Sequence, residues 1–568
     1  MSSARRCILG LALVAALSGL LLVRNGAGAP APGPVPEGAE DEVPKLIVVL
    51  LVDGFSPSQL LQNRERLGEG GFARLMKDGA WYTNARYGYS TTVTGAGHAT
   101  LLSGAYPYRH GIVGNDWIDH ATKKTVYCTE DPDSNYLGEK AKPGAGTSPK
   151  LLKVTTVGDE LRMETNGRSR VLALSMKDRG AILPAGKLGT AYFYSTASGK
   201  FITSDYYMKD YPDWWKRFHA ANPQNKWFGT EWKPLRDDAS FGVPDDRGFV
   251  YNVKELGKKF PHKIDGGKPE LGPDYYAALP WTPFGHDYLL EFSKTAIREE
   301  RLGKNAENVP DLVSISLSSH DYVNHAYGPE SREASDAVLR LDQALDDFFK
   351  FVEEWVGLDR TLVVLTADHG FSRSPEFWKD TLRFETGRIS HEEMIKKLNA
   401  HLAGKFGEGV QAIGWQLPTV FLDYESIDQK KVSREEVERE SARFLSAYPG
   451  VQAVFTRTQL LAGEVPATRL GKQVQRAWHP DVSGDLVVIQ KDGWFLPDKE
   501  TKYASMHGSP WTYDTHVPLM FLGKRWVAAG KYGQDSEPLD IAPTLAHLLN
   551  VGLPSGCEGR VLTEILKH

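Results

Sequence analysis

The chain has 568 residues, more than one ordinary hydrophobic core holds, so it must form several domains or one large domain carrying insertions. Its 67 basic and 72 acidic residues give a formal net charge of −5. That balance argues against a basic nucleic-acid-binding surface and against an acidic disordered tail. Hydrophobic residues at 41% and charged residues at 24% are ordinary for a soluble globular protein and exclude little else.

At the N-terminus, Arg5 and Arg6 precede an apolar run from Ile8 to Val23, followed by Gly26, Ala27, Gly28 and Ala29. This charged, apolar, small-residue order predicts a secretory signal peptide over 1–29, and hence export to the periplasm or the medium. The run falls short of the about 20 residues that span a bilayer, so no stable membrane insertion is expected after cleavage. Cys7 precedes the run and is therefore not a lipoprotein cysteine. Cleavage would leave Cys128 and Cys557, too few for a disulfide framework, with pairing and two free thiols both open.

Residues 30–44 are rich in Pro, Gly and Ala and read as a linker. The first catalytic-core segment, 45–180, opens on a run from Lys45 to Val52 that is apolar and β-branched up to Asp53-Gly54. A run without polar alternation suits a strand buried on both faces of a parallel sheet. Similar runs recur at Val171–Leu174, Leu312–Ile315, Leu362–Leu365 and Val517–Leu522. Val338, Leu341, Leu345, Phe348 and Val352 mark one apolar face of a helix between two of them. Strands alternating with helices predict an α/β fold. The rhythm breaks twice: at 181–310, crowded with Tyr, Trp, Pro and Gly, and at 375–500, which mixes a charged helical piece with short β-like runs. Unstructured loops of that length are rare, so both are expected to be inserted subdomains, separating core segments 45–180, 311–374 and 501–568.

Polar residues follow the apolar runs. Asp53 ends the first, Lys177 and Arg179 follow the second, Asp321 and His325 the third, and Asp368-His369 the fourth. Ligands of open α/β sheets bind at the carboxyl ends of strands, so these groups are expected to converge. Each is weak alone, since an Asp after a strand is commonly a cap or turn residue. With His507, however, they supply three carboxylates and three imidazoles, a donor set suited to zinc and sufficient for a two-metal site.

The segment Ser90-Thr-Thr-Val-Thr94-Gly-Ala-Gly-His98-Ala-Thr-Leu-Leu-Ser-Gly104, continuing through His110-Gly-Ile-Val-Gly-Asn115, resembles the nucleophile region of the alkaline phosphatase superfamily. Within it the chain is similar to the phosphate-irrepressible, monoesterase-type alkaline phosphatases, relatives of the type I phosphodiesterase/nucleotide pyrophosphatases. The resemblance covers nearly the whole chain after the linker, including Asp540-Ile-Ala-Pro-Thr-Leu545. It implies an alkaline-phosphatase-like, mostly parallel central sheet flanked by helices and carrying the two insertions. It makes Thr94 the nucleophile of a covalent phosphothreonine mechanism and implies two Zn2+ ions. Asp53, Asp368, His369 and the Thr94 oxygen would hold one ion, and Asp321, His325 and His507 the other. Asn115 would hold a phosphoryl oxygen, and Lys177 with Arg179, in Ser-Met-Lys-Asp-Arg-Gly, matches the pair that marks the monoesterase branch.

The implied substrates are small-molecule phosphate monoesters. A monoester carries two negative charges on its non-bridging oxygens and a diester one, so extra cationic donors favour the monoester. The nearest alternative is a phosphodiesterase or nucleotide pyrophosphatase on the same scaffold, a branch that lacks the Lys–Arg pair. His98 and His110 are expected to be structural or to stand behind the ligands, and His516 competes with His507 as the last ligand but leads into an apolar strand.

Overall fold

The computed structural model describes residues 43–139, 146–236, 247–497 and 502–567. The expected signal peptide and nearly all of the expected linker lie outside the described residues. Among the described residues no helix is long and apolar enough to cross a membrane.

The unbroken apolar runs form the middle of a nine-stranded sheet. In chain order its strands are β1 (Leu46–Val52), β2 (Ala80–Tyr82), β3 (Val171–Ser175), β4 (Thr190–Tyr194), β5 (Phe201–Ile202), β6 (Asp311–Leu317), β7 (Thr361–Thr366), β8 (Leu519–Leu522) and β9 (Gly530–Tyr532). Across the sheet they run β9-β2-β8-β7-β1-β6-β3-β4-β5. The stretch from β7 to β4 is parallel, β5 and β8 are antiparallel to their inner neighbours, and β2 pairs antiparallel with β8 and parallel with β9. Every residue of β1 is buried. Leu46, Val48, Leu50 and Val52 enter one hydrophobic cluster, and Ile47, Val49 and Leu51 enter another on the opposite face. Two-sided burial is why the sequence shows no alternation there. The α/β fold with a mostly parallel central sheet is thus as expected.

Four helices matter for the site: α1 (Thr94–Ser103), α2 (Asp178–Ala185), α3 (Ser319–Tyr327) and α4 (Arg332–Trp355). α4 buries the face read from its sequence, Val338, Leu341, Leu345, Phe348 and Val352, and Ser331 caps it by accepting from the Ala334 N–H at 2.9 Å. α1 is buried over all ten residues and packs against the end of β7. A Cβ on Gly97 would lie 2.4 Å from the Asp368 carbonyl, so only glycine permits this approach.

Two details differ from the sequence reading. The sheet takes in β4 and β5, which fall inside 181–310, so that stretch is partly sheet rather than wholly an appendage. The run expected from Val517 to Leu522 is a strand only from Leu519, and it is antiparallel to β7. Within 375–500 a separate four-stranded antiparallel sheet orders its strands as Ala412–Gln416, Thr419–Leu422, Leu486–Gln490 and Val451–Thr456. Cys128 and Cys557 are both free thiols, Cys128 buried and Cys557 half-buried.

Candidate active site

The parallel strands deliver their polar residues to one end of the sheet. Asp53 follows β1, Lys177 follows β3, Asp321 sits in the first turn of α3 after β6, and Asp368-His369 follows β7. All five are buried. Asp321 and His325, four residues apart, lie on one face of α3, with His325 Nε2 3.5 Å from Asp321 Oδ2.

Two groups of ligand atoms result, Asp53 with Asp368 and His369, and Asp321 with His369 and His507. His369 Nε2 lies 3.6 Å from Asp53 Oδ1 and 3.3 Å from Asp368 Oδ2, while His507 Nε2 lies 3.5 Å from Asp321 Oδ1. The imidazoles are oriented from behind. His507 Nδ1 donates to the Thr92 carbonyl at 2.8 Å, His325 Nδ1 to the Ser505 carbonyl at 3.1 Å, and His369 Nδ1 to the Gly370 carbonyl at 2.9 Å. A carbonyl can only accept, so in each ring the proton sits on Nδ1 and the Nε2 lone pair faces the carboxylates, the arrangement of a metal-binding histidine. Asp53 Oδ1, Asp321 Oδ1 and His369 Nε2 are buried with no hydrogen-bond partner. Buried, oriented and unsatisfied donor atoms of this kind fit divalent cations, and three carboxylates with three imidazoles suit zinc.

Electrostatics are dominated by burial and by Lys177. Its Nζ lies 2.8 Å from Asp53 Oδ2 and 2.6 Å from Asp321 Oδ2. Burial pushes Asp53 up to about 7, reinforced by Asp368 and opposed by Lys177. Burial would also raise Asp321, but the Lys177 ammonium beside it holds it well below the usual carboxylate range. Asp368 is lowered despite its burial, with His98 Nδ1 3.2 Å from its Oδ2. Burial lowers His325 and His507, which keeps both rings neutral and available as ligands.

Thr94 opens α1 beside these groups, with Lys177 Nζ 3.4 Å from its Oγ1. A cavity of about 200 Å³ is bordered by Thr94, Asn115, Lys177, Arg179, Asp321 and His507. Asn115 is turned by the start of α1: its Oδ1 accepts from the Gly95 N–H at 2.8 Å, leaving its NH2 group as the donor. Arg179 donates to the Tyr127 hydroxyl at 3.1 Å, and that hydroxyl donates in turn to Asp178 Oδ1.

Asp53, Thr94, Asn115, Lys177, Arg179, Asp321, His325, Asp368, His369 and His507 therefore lie in or beside one site. His516 does not, since its Nε2 meets the Thr83 carbonyl at 3.0 Å. His98 lies behind the site, 2.8 Å from Ser316 Oγ and 3.2 Å from Asp368 Oδ2, and His110 Nε2 bonds Thr100 Oγ1 at 3.1 Å. Sequence reasoning missed Tyr322, whose ring centre is 5.0 Å from Lys177 Nζ, and the Tyr127–Asp178 support of Arg179. Tyr322 and Asp178 stand next to motif residues, a signal that was available. It also missed the cavity wall supplied by Trp281, Gln416, Leu417, Tyr503 and Met506, which no motif announces.

The sequence profile of the type I phosphodiesterase / nucleotide pyrophosphatase family matches residues 47–516. A protein named calcium-transporting ATPase from Myroides odoratus is 35% identical over 532 residues, spanning 93% of this chain and 95% of its own. Alkaline phosphatase PhoV of Synechococcus elongatus is 34% identical, spanning 92% of this chain and 93% of its own. Alkaline phosphatase PafA of Elizabethkingia meningoseptica is 33% identical, spanning 97% of this chain and 98% of its own. The crystal structure of PafA superposes with a TM-score of 0.85, covering 92% of this chain and 99% of that one. The chain belongs to the type I phosphodiesterase / nucleotide pyrophosphatase family, and alkaline phosphatases are among its full-length relatives.

Proposed function

We propose that this protein is an exported alkaline phosphatase that hydrolyses small phosphate monoesters through a phosphothreonine at Thr94. The observation that carries the reading is the placement of Lys177, Arg179 and Asn115 around one cavity with the Thr94 hydroxyl. Three donors, two of them cationic, suit a dianionic phosphoryl group whose charge spreads over three oxygens in the transition state. The family's diesterases provide the second reading, and the Lys177–Arg179 pair is what weighs against it.

The residues divide the labour. Asp53, Asp368 and His369 with the Thr94 oxygen would hold one zinc ion, and Asp321, His325 and His507 a second. When bound, such ions supply Lewis acidity at the attacking and leaving oxygens. Thr94 gives its hydroxyl proton to solvent, and its Oγ bonds to phosphorus as the bond to the ester oxygen breaks and that oxygen takes a proton from solvent. Water then attacks phosphorus, the Thr94 Oγ–P bond breaks, and inorganic phosphate leaves with the hydroxyl restored. Asn115 and Arg179 orient the phosphoryl oxygens, and Lys177 offsets negative charge beside Thr94. Export rests on the charged, apolar, small-residue order of residues 1–29.

Acid quenching of the zinc-loaded enzyme during turnover of an aryl phosphate, followed by peptide mass spectrometry, tests the covalent step. Phosphate on the peptide containing Thr94 is expected. Phosphate on another residue, or burst release of phosphate with no labelled peptide, would overturn it.

A further inference from the structure

A second, larger cavity of about 700 Å³ lies away from the catalytic groups, between the helix Arg469–Ala477 and the core segments around Arg86 and Ser536. We propose that it is a binding site for a small, multiply charged oxyanion such as a polyphosphate. Its volume is within the range of small-molecule sites.

What marks the cavity is which of its charged groups already have partners. Four carboxylates border the cavity and each is engaged. Glu537 accepts from the Gly88 N–H at 2.9 Å and from the Tyr106 hydroxyl at 2.9 Å. Asp540 accepts from the N–H groups of Glu537 and Arg560 at 2.9 and 2.8 Å. Asp535 accepts from the Asn84 amide, and Glu558 from the Tyr108 hydroxyl. Two of the cations are engaged as well, Arg560 in a two-pronged pair with Glu564 and Arg476 by Glu537 and the Tyr106 ring.

The remaining three cations, Arg86, Arg469 and Lys472, have no side-chain hydrogen bond or ion pair among the described residues, and Arg86 Nε is buried without an acceptor. A buried guanidinium N–H with no acceptor is the kind of group a ligand satisfies. The start of the Arg469–Ala477 helix borders the same space, and Thr468 caps it by accepting from the Gly471 N–H at 3.1 Å. The positive end of a helix adds to a lining in which five cations face four carboxylates, an excess of one positive charge.

The site touches the catalytic centre indirectly. Tyr87, on its wall, donates its hydroxyl to the Ala367 carbonyl at 2.8 Å, one residue before Asp368. The same helix accepts the Ser90 N–H through the Gln473 carbonyl at 3.1 Å, on the segment that leads to Thr94. An oxyanion here would bridge the 375–500 segment to the core stretch that leads to Thr94.

The test titrates tripolyphosphate into zinc-loaded Thr94→Ala protein by calorimetry, so that any catalytic-site binding is present as an internal standard. A second binding event is expected, weakening steeply with added salt. Introducing Arg86→Gln and Lys472→Gln into that background should weaken the second event at least about tenfold and leave the first unchanged. The exposed pair Arg469→Glu and Lys472→Glu serves if Arg86→Gln lowers the melting temperature, and should abolish the event by charge reversal. A parent in which no binding event is weakened by either pair overturns the proposal.

Discussion

In the central sheet, β1, β6 and β7 are buried at every residue, and four of the parallel strands deliver Asp53, Lys177, Asp321, Asp368 and His369 to one end. In the four-stranded sheet of the 375–500 segment, Ala412–Gln416 and Val451–Thr456 are buried at only some positions. That sheet reaches the catalytic cavity only through Gln416 and Leu417, at the turn between its first two strands. A two-sided core holds strand ends rigidly, which suits groups whose chemistry depends on fractions of an ångström. A hairpin turn at the edge of the smaller sheet shapes the wall without carrying the charge. The difference assigns chemistry to one region and selectivity to the other, and mutations should separate them.

The largest effect is expected from Thr94→Ala, which should lower kcat on an aryl phosphate by at least about a thousandfold. Bound zinc, measured by elemental analysis, should remain near the wild-type amount because the six other proposed ligands are intact. Full activity in this variant would remove the nucleophile from the account. Asp368→Asn should act instead through metal, lowering bound zinc and activity together, since a ligand of the first group is neutralised. Retained zinc with lost activity would mean that Asp368 does not hold the ion.

Changing Lys177 and Arg179 together to Ala should lower monoester kcat/KM by about a hundred- to a thousandfold, with far less effect on a diester. Equal losses on both would undo the argument for substrate class. Tyr127→Phe removes only the hydroxyl that Arg179 donates to, so a smaller loss, about three- to tenfold on monoesters, is expected. Smallest of all, Leu417→Ala should leave kcat within about threefold while reordering kcat/KM among esters with different leaving groups. If Leu417→Ala hurt as much as the Lys177/Arg179 pair, the division between the two regions would fail.

How far each region could be read from sequence follows the same physics. β1, β6 and β7 were legible because burial on both faces leaves runs such as Leu46–Val52 with no polar residue. The convergence of the candidate site residues was legible because Asp53, Lys177, Asp321 and Asp368 stand after those runs, and because Thr94, Asn115 and the Lys177/Arg179 pair sit in a recognisable motif. β4, rich in tyrosine and phenylalanine, merged with the aromatic stretch that follows it, so its place beside β3 was hidden. β2 and β9, three residues each, carry too little pattern to read. The support of Arg179 by Tyr127 joins residues 52 apart through a hydroxyl, and nothing periodic marks such a contact. Trp281, Leu417 and Tyr503 reach the cavity from separate segments whose approach depends on tertiary packing alone.

The central claim is that cationic donors beside Thr94 make this family member a monoesterase. The most direct test is kcat/KM of the purified zinc-loaded protein on an aryl phosphate monoester and on its methyl diester, side by side. A strong monoester preference is predicted, collapsing when Lys177 and Arg179 are both alanine. A diester preference in the wild-type protein would contradict the claim and leave only the fold and the ligand cluster standing.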